Sequence, residues 1–363
     1  MKKSVKTIIA AALALVMIFA LAGCASPAAQ DTGAASPAAA STAQESASAE
    51  QETASASSGE TAAAGNVTVG VIQYATHPSL DNCYTGFLQG LEEAGFKEGE
   101  NLTIDFQNAQ GDMANSDMIA KNMVSKKESL IMGIATPAAM SAYAATKNEG
   151  LPVVFSAVSD PVAAGIVKSV ESTETNCTGT SDVLNLEAQM KMIRAFLPDA
   201  KKIGIIYTTS EPNSISHLEK FKALAPTYGF EIVEVGVTNA SEVASAAASV
   251  VGKGVDCINN FTDNNVVDNL ASVVQAANKA KIPVFGSEVE QVKNGCLASE
   301  SIDYVSLGRE TGKIAAEILN GKKPSDIPVA LISDTTPVFN QEVLDTLGLT
   351  LPADYANAQA VSK

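Results

Sequence analysis

Residues 69–73 read Val-Gly-Val-Ile-Gln, and residues 203–207 read Ile-Gly-Ile-Ile-Tyr. Both runs are short, apolar and rich in β-branched side chains, which is typical of a strand buried on both faces of a sheet. A longer segment with the spacing of a helix follows each run. Buried strands that alternate with helices predict βαβ units, and therefore a parallel sheet covered by helices.

The same alternation continues through the first half of the body. Strands are predicted at Val67–Tyr74, Leu102–Asn108, Ser129–Ala135 and Pro152–Ala157. Segments of helical period lie between them, at Cys83–Ala94, Ser116–Lys126 and Ala138–Glu149. Strands connected through helices in this way form a doubly wound sheet.

The pattern recurs roughly 130 residues further along the chain, as an internal repeat would. Tyr228-Gly229-Phe230 corresponds to Ala94-Gly95-Phe96, and Ile282-Pro283-Val284-Phe285 corresponds to the segment 151–155. The repeat predicts an α/β protein of two similar doubly wound, parallel-sheet (Rossmann-like) lobes, which suits the length of the body.

The helix predicted at Tyr304–Leu319 follows the second repeat without continuing it. We therefore expect a three-strand hinge, with the chain crossing between lobes near Thr180–Asp182, Ser299–Ile302 and Asp326–Pro328. The first lobe would hold 66–181 and 300–326, and the second 182–299 and 327–352. Residues 353–363 would be a tail.

Several stretches of the chain resemble one known family. In the first half they are Gln73–Asp81, Gly95–Asn101, Asn108–Asp112, Ile134–Ala139 and Ala157–Val162. In the second half they are Ala276–Phe285 and Asp303–Arg309. Together they resemble the ABC importer binding proteins with the periplasmic-binding-protein type 1 fold, over about residues 67–350. The resemblance implies a clamp that captures a small molecule and presents it to an ABC permease with its cytoplasmic ATPase.

The N-terminus has the pattern of an export signal. Lys2, Lys3 and Lys6 precede an apolar run from Ile8 to Ala22, which is too short for a permanent membrane span. The run ends in Leu-Ala-Gly-Cys24, which resembles a bacterial lipobox. We expect residues 1–23 to be a signal peptide and lipidated Cys24 to anchor the protein to the outer face of the cell membrane.

Residues 24–65 predict a disordered tether, because after Cys24 they contain no aromatic, Leu, Ile or Val side chain that could form a core. The chain carries a formal net charge of -16, which argues against nucleic acid as a partner. The other four cysteines, Cys83, Cys177, Cys257 and Cys296, are widely spaced. They predict buried free thiols and neither a metal site nor a disulfide framework.

Ligands of parallel sheets bind beyond the carboxyl ends of the strands, where helix N-termini offer free N–H groups. In the first lobe, Thr136-Pro137-Ala138 opens a helix directly after a strand and would donate hydrogen bonds to a ligand carboxylate. Asp160 follows the next strand and would bind a ligand ammonium or hydroxyl. The first loop adds the candidates Gln73, Tyr74, Leu80 and Asp81.

The second lobe supplies polar residues at the corresponding strand ends. The candidates are Asn213, Ser214, Asp263, Asn264 and Glu288. With Asp160, these acids give a cleft with more acceptors than cations, which favours a zwitterion or a neutral polyhydroxylated ligand. The family resemblance further implies an aromatic amino acid, namely tryptophan, phenylalanine or tyrosine. A nucleoside, a sugar, or a ligand-sensing receptor for a signalling partner stays open as an alternative.

Enzyme motifs are missing from the sequence. It contains no G-x-S-x-G, no G-x-x-x-x-G-K-[ST] and no G-x-G-x-x-G. The two histidines, His77 and His217, are too few for a histidine-rich metal site. We therefore expect a binding protein that is monomeric and has no catalytic residue, cofactor or metal.

Overall fold

A computed structural model of the chain describes residues 66–362. The expected signal peptide, the lipidated Cys24 and the tether lie outside these residues. Within them, no helix combines the length and the apolar character that crossing a membrane requires.

The described residues alternate between strands and helices. The strands are β1 (Val67–Gln73), β2 (Leu102–Asn108), β3 (Leu130–Ile134), β4 (Val153–Ser156), β5 (Cys177–Asp182), β6 (Lys202–Thr208), β7 (Glu231–Val237), β8 (Cys257–Asn259), β9 (Val284–Phe285), β10 (Ala298–Ser301), β11 (Ala330–Ile332), β12 (Thr336–Asn340) and β13 (Gln359–Val361). The helices are α1 (Pro78–Glu93), α2 (Met113–Lys126), α3 (Thr136–Thr146), α4 (Leu186–Phe196), α5 (Pro212–Leu224), α6 (Val243–Gly252), α7 (Asn264–Asp268), α8 (Leu270–Ala280), α9 (Val289–Lys293), α10 (Tyr304–Leu319) and α11 (Gln341–Thr346).

Two parallel sheets form the two lobes, as the sequence repeat predicts. The first sheet has the strand order β11-β5-β4-β3-β1-β2, and the second has the order β7-β6-β8-β9. A third sheet, β10-β12-β13, was not foreseen, and in it β10 and β12 run antiparallel. The two motifs that predicted the fold are β1 and β6, which lie inside their sheets and pair with a strand on either side.

The glycine in each motif lets a helix lie close to its sheet. A Cβ added at Gly70 would lie 2.7 Å from the Met123 sulfur, and one at Gly204 would lie 2.7 Å from a methyl group of Val250. Alternate residues of β6 face opposite sides, so that Ile205 joins one hydrophobic cluster of the second lobe and Ile206 the other. This division explains why the motif is apolar throughout.

The chain crosses between the lobes three times. The first two crossings follow β5 and β10, close to the predicted positions. The prediction of the third crossing near Asp326–Pro328 was wrong, because β11 still pairs with β5 in the first sheet. The crossing follows Ile332, since only β12 returns to the strands of the second half. Residues 353–362 are also more than a tail, because β13 pairs with β12.

Helix α10 returns to the first lobe and packs directly on α1. Gly86 and Gly90 of α1 face Gly308 and Gly312 of α10, so the two backbones are in contact. A Cβ at Gly308 would lie 2.0 Å from the carbonyl oxygen of Cys83. This pairing holds the N-termini of both helices at the same edge of the first sheet, which places Ser79 and Tyr304 in one cavity.

All four cysteines of the described body are buried free thiols, which confirms the prediction for them. Burial raises the pKa of each thiol well above its ordinary value. The thiols are therefore protonated and behave as small apolar side chains.

Candidate functional site

A cavity of about 340 Å³ lies between the two lobes, at the carboxyl ends of both sheets. Both lobes contribute to its wall, as expected for a site at facing strand ends. The residues that line it are His77, Ser79, Leu80, Ala135, Thr136, Ala157, Asp182 and Tyr304 from the first lobe and Asn213, Thr262, Asn264, Val267, Glu288 and Gln291 from the second.

Five of the predicted ligand contacts line this cavity. They are Leu80, Thr136, Asn213, Asn264 and Glu288. Pro137 and Ala138 lie directly behind Thr136 in the first turn of α3, where both are buried. These residues meet at one edge of each sheet, because parallel strands end together.

Three candidates of the first loop have structural contacts outside the cavity. The Gln73 amide donates to the carbonyl oxygen of Ala75 (2.9 Å) and to the carboxylate of Asp81 (2.8 Å). The Tyr74 hydroxyl donates to the carbonyl oxygen of Gly111 (2.9 Å). These bonds fold the loop after β1 and leave Gln73, Tyr74 and Asp81 out of the cavity wall.

Asp263 and Ser214 are also outside the cavity wall. The Asp263 carboxylate accepts hydrogen bonds from the Thr208 amide, the Thr208 hydroxyl, the Ser214 hydroxyl and the Val266 amide. It is fully buried and caps the N-terminus of α7. Asp263 therefore fastens α7 to β6, and its acceptor capacity is largely used within the second lobe.

Asp160 connects the two lobes instead of facing the cavity. It belongs to the loop after β4, and its carboxylate accepts hydrogen bonds from the Ser216 hydroxyl (2.6 Å) and the Lys220 ammonium (2.9 Å). Both donors lie on α5 of the second lobe. The contact therefore exists only while the lobes are close together.

Nine residues of the cavity wall were not among the predicted contacts. They are His77, Ser79, Ala135, Ala157, Asp182, Thr262, Val267, Gln291 and Tyr304. Pro78 signals a helix start, which could have indicated Ser79. Asp182 and Tyr304 lie at the first two crossings between the lobes, where the Tyr304 hydroxyl donates to the Asp182 carboxylate (2.7 Å).

Two alanines of the wall have unusual backbone conformations. Ala135, directly after β3, has φ 77°, and Ala157, directly after β4, has φ 56°. Left-handed backbone is strained for a residue with a Cβ, and such strain is concentrated at functional sites. At both positions the turn brings the backbone to the cavity, while the small side chain leaves the space open.

Helix N-termini surround the cavity and divide into two kinds. Asp263 and Glu288 cap α7 and α9 with their own carboxylates. No side chain caps α1, α3 or α5, each of which has a proline at its first or second position. Among the described residues, no oxygen accepts a hydrogen bond from the Thr136 or Ala138 amide of α3. This uncapped start is suited to an anionic group.

Burial changes the protonation of the groups that line the cavity. It raises the pKa of Glu288 to about 7 and that of Asp182 to about 6. It lowers the pKa of His77 to about 4, so this imidazole is neutral near pH 7. In residues 66–362, no cluster of three or more His, Cys, Asp or Glu side chains is placed to hold a metal ion.

Comparisons with known proteins agree with this architecture. A tyrosine-binding protein of Clostridioides difficile (strain R20291) is 43% identical over 281 residues, which are 77% of this chain and 81% of that protein. An ABC domain from Streptococcus pneumonia, solved in complex with L-Trp, is 36% identical. It superposes with a TM-score of 0.79 over 82% of this chain and 100% of that chain.

A third relative differs in conformation. The ligand-free, open structure of a substrate-binding protein with adhesive properties from Clostridium difficile is 42% identical over 82% of this chain and 99% of that chain, with a TM-score of 0.63. The fold is thus that of the periplasmic binding proteins of type 1. The family of ABC transporter substrate binding proteins matches residues 68–361. With this match and these relatives, the chain belongs to the ABC transporter substrate-binding protein family.

Proposed function

We propose that this protein is the extracytoplasmic solute-binding lipoprotein of an ABC importer and that it binds an aromatic amino acid, tyrosine or tryptophan. The observation that carries the proposal is a cavity built by both lobes, with an uncapped helix start on one wall and apolar side chains on another. The ligands named for two relatives, tyrosine and L-Trp, support the same ligand class.

The ligand carboxylate would bind at the start of α3. The free amides of Thr136 and Ala138 and the Thr136 side chain are donors at the end of a helix whose dipole favours negative charge. The aromatic ring would pack against the apolar part of the wall, formed by Leu80, Val267 and Tyr304. Polar groups at the helix start and apolar side chains opposite it are the combination that small-molecule sites use to orient a ligand.

Ligand binding would proceed by closure of the hinge. A ligand held by both walls stabilises the closed form by its differential affinity for that form. The described structure superposes better on the L-Trp complex than on the open relative, although its identity to the open relative is higher. The bond between Asp160 and Lys220 across the lobes also belongs to a closed form.

The first test is titration of the purified chain with L-tyrosine and L-tryptophan, followed by calorimetry and by melting temperature. We expect saturable binding of at least one of them. At 100 times the dissociation constant, the ligand should stabilise the protein by about 2.7 kcal/mol. Sugars and nucleosides should leave the melting temperature unchanged. Stabilisation by a sugar or a nucleoside alone would contradict the aromatic ligand.

A second prediction concerns the contact between the lobes. Lys220→Ala removes the ion pair with Asp160, so we expect L-tyrosine to dissociate about twofold to fivefold faster, as suits an exposed ion pair. Lys222→Ala is the matched control on the same helix, because Lys222 pairs with Glu234 inside the second lobe. Stopped-flow dissociation measures both variants, and equal rates would show that the Asp160 contact does not stabilise closure.

Anchoring through Cys24 and delivery to a permease complete the proposal. Two acyl chains on Cys24 would hold the protein at the membrane, and residues 25–65 would give the lobes the reach to meet the permease. Partitioning of the exported protein into a detergent phase tests the anchor.

A further inference from the structure

A group of oxygen atoms without hydrogen-bond partners lies on the second-lobe side of the cavity. The atoms are Oε1 of Glu211, Oδ1 of Asn213 and Oγ1 of Thr262, and all three are buried. Asn213 and Thr262 line the cavity, and Glu211 is next to Asn213, whose side-chain nitrogen lies 3.3 Å from the Glu211 Oε2. Buried acceptors normally have partners, so three together indicate a group that donates several hydrogen bonds.

The bonds around Glu211 fix the direction of its neighbours. Its Oε2 accepts from the Asn213 amide nitrogen (3.3 Å), from the Asn264 amide nitrogen (2.8 Å) and from the Asn264 backbone (3.2 Å). The Asn213 nitrogen also donates to the Thr262 carbonyl oxygen (3.3 Å). Because the amide nitrogens are held by Glu211 and Thr262, the Asn213 Oδ1 is turned away from them.

No cation of the described residues balances the negative charge of the Glu211 and Asp263 carboxylates. Glu211 is 2% exposed and Asp263 is fully buried, and neither carboxylate forms an ion pair with any Lys or Arg of residues 66–362. Burial, together with the nearby Asp263 carboxylate, raises the pKa of Glu211 to about 8. Buried carboxylates are ordinarily paired with a cation, and a bound cation would restore the ionised form.

We propose that Glu211, Asn213 and Thr262 form the subsite for the ammonium group of the ligand, with Glu211 as its countercharge. An ammonium has three N–H donors, which matches the three unpartnered oxygens. The inference rests on the proposed function and deepens it, because it assigns the carboxylate to the first lobe and the ammonium to the second. The two charged ends of one amino acid would then hold the lobes together.

The other carboxylates near the cavity are less suited to this role. Each oxygen of Glu288 already accepts from a backbone amide of α9. The oxygens of Asp182 accept from Ser159 and Tyr304. Glu211 is the acid at this site whose second oxygen has no donor.

The test compares L-tyrosine with 3-(4-hydroxyphenyl)propionate, which keeps the ring and the carboxylate but lacks the ammonium. The wild-type protein should prefer L-tyrosine. Glu211→Gln should lower the affinity for L-tyrosine by about tenfold to a hundredfold, as expected for a charge-assisted hydrogen bond. The affinity for the analogue should change by less than about threefold. Glu187→Gln, a change of an exposed acid on α4, is the matched control and should leave both affinities unchanged.

The outcomes separate the two proposals. A wild-type protein that binds neither ligand overturns the proposed function and this inference with it. Suppose instead that the wild-type protein binds L-tyrosine. If Glu211→Gln then loses affinity equally for both ligands, or loses no affinity, the ammonium subsite alone is overturned. If Glu211→Gln does not fold, Thr262→Val removes one acceptor with little change of shape. This variant should lower only the affinity for L-tyrosine, by about threefold to tenfold.

Discussion

Replacing Gly308 by alanine should lower the free energy of unfolding by about 2 to 3 kcal/mol, the upper part of the range for overpacking. The new methyl group would lie 2.0 Å from the carbonyl oxygen of Cys83, so α1 and α10 would have to move apart. Alanine favours a helix over glycine by about 1 kcal/mol, so the measured loss would understate the steric cost. Denaturant or thermal unfolding measures the change.

Gly252→Ala is the control for this prediction. Gly252 is also helical, at the end of α6, and a Cβ there would have no neighbour within 4 Å. Its substitution should be neutral or slightly stabilising. Gly308→Ala should also weaken ligand binding, because the same helix pair places Ser79 and Tyr304 in the cavity. A stability equal to that of Gly252→Ala would contradict the close contact of α1 with α10.

The preference for L-tyrosine over 3-(4-hydroxyphenyl)propionate should fall about tenfold to a hundredfold when the pH is lowered from 8 to 6. Without a cation at the subsite, Glu211 has a pKa of about 8 and binds a proton over this range. The ammonium must displace that proton, so the affinity for L-tyrosine falls by up to about tenfold for each pH unit below 8. The analogue leaves the proton in place.

The sign follows from the raised pKa. A proton on Glu211 stabilises the complex without ammonium at low pH, and this stabilisation is lost as the pH rises through 8. Glu288 and Asp182 have raised pKa values as well and would act in the same direction if the ammonium approached them. Calorimetric titration at several pH values measures both affinities. A preference that is constant, or that grows toward pH 6, would contradict the pairing of ammonium with a buried carboxyl.

Glu211→Gln provides the control for the pH series. Glutamine does not titrate, so most of the pH dependence should disappear in this variant. His77 does not complicate the comparison, because burial lowers its pKa to about 4 and the imidazole stays neutral between pH 6 and 8.

Element types were predictable from the sequence, whereas several element ends were not. Strand β2 and helix α10 occupy the predicted residues, because their apolar periods are clear and their ends carry turn or capping residues. Helix α1 begins at Pro78 instead of Cys83, since proline fixes the first turn of a helix although the apolar period starts later. Strand β11 was assigned to the wrong lobe because a short strand carries no signal for its partner.

For the site, the sequence identified the strand ends but could not assign the contacts of each acid. Asp160, Asp263 and Glu288 all follow strands, and nothing local distinguishes them. The structure places Glu288 at the cavity, the Asp160 carboxylate in contact with α5 of the facing lobe and Asp263 among four donors of its own lobe. Glu211 was not among the predicted contacts, because its proposed role depends on the absence of a nearby Lys or Arg, which the sequence does not reveal.

The sequence by itself determined the two doubly wound lobes, because strand and helix periods are local and the repeat reports them twice. It also determined which edge of each sheet faces the cavity, since parallel strands end on one side. Only the tertiary structure decided which polar atoms stay without partners, as for Glu211 and Asn213. Hydrogen bonds between distant segments use up some acceptors and leave others free, and no local pattern records which are left.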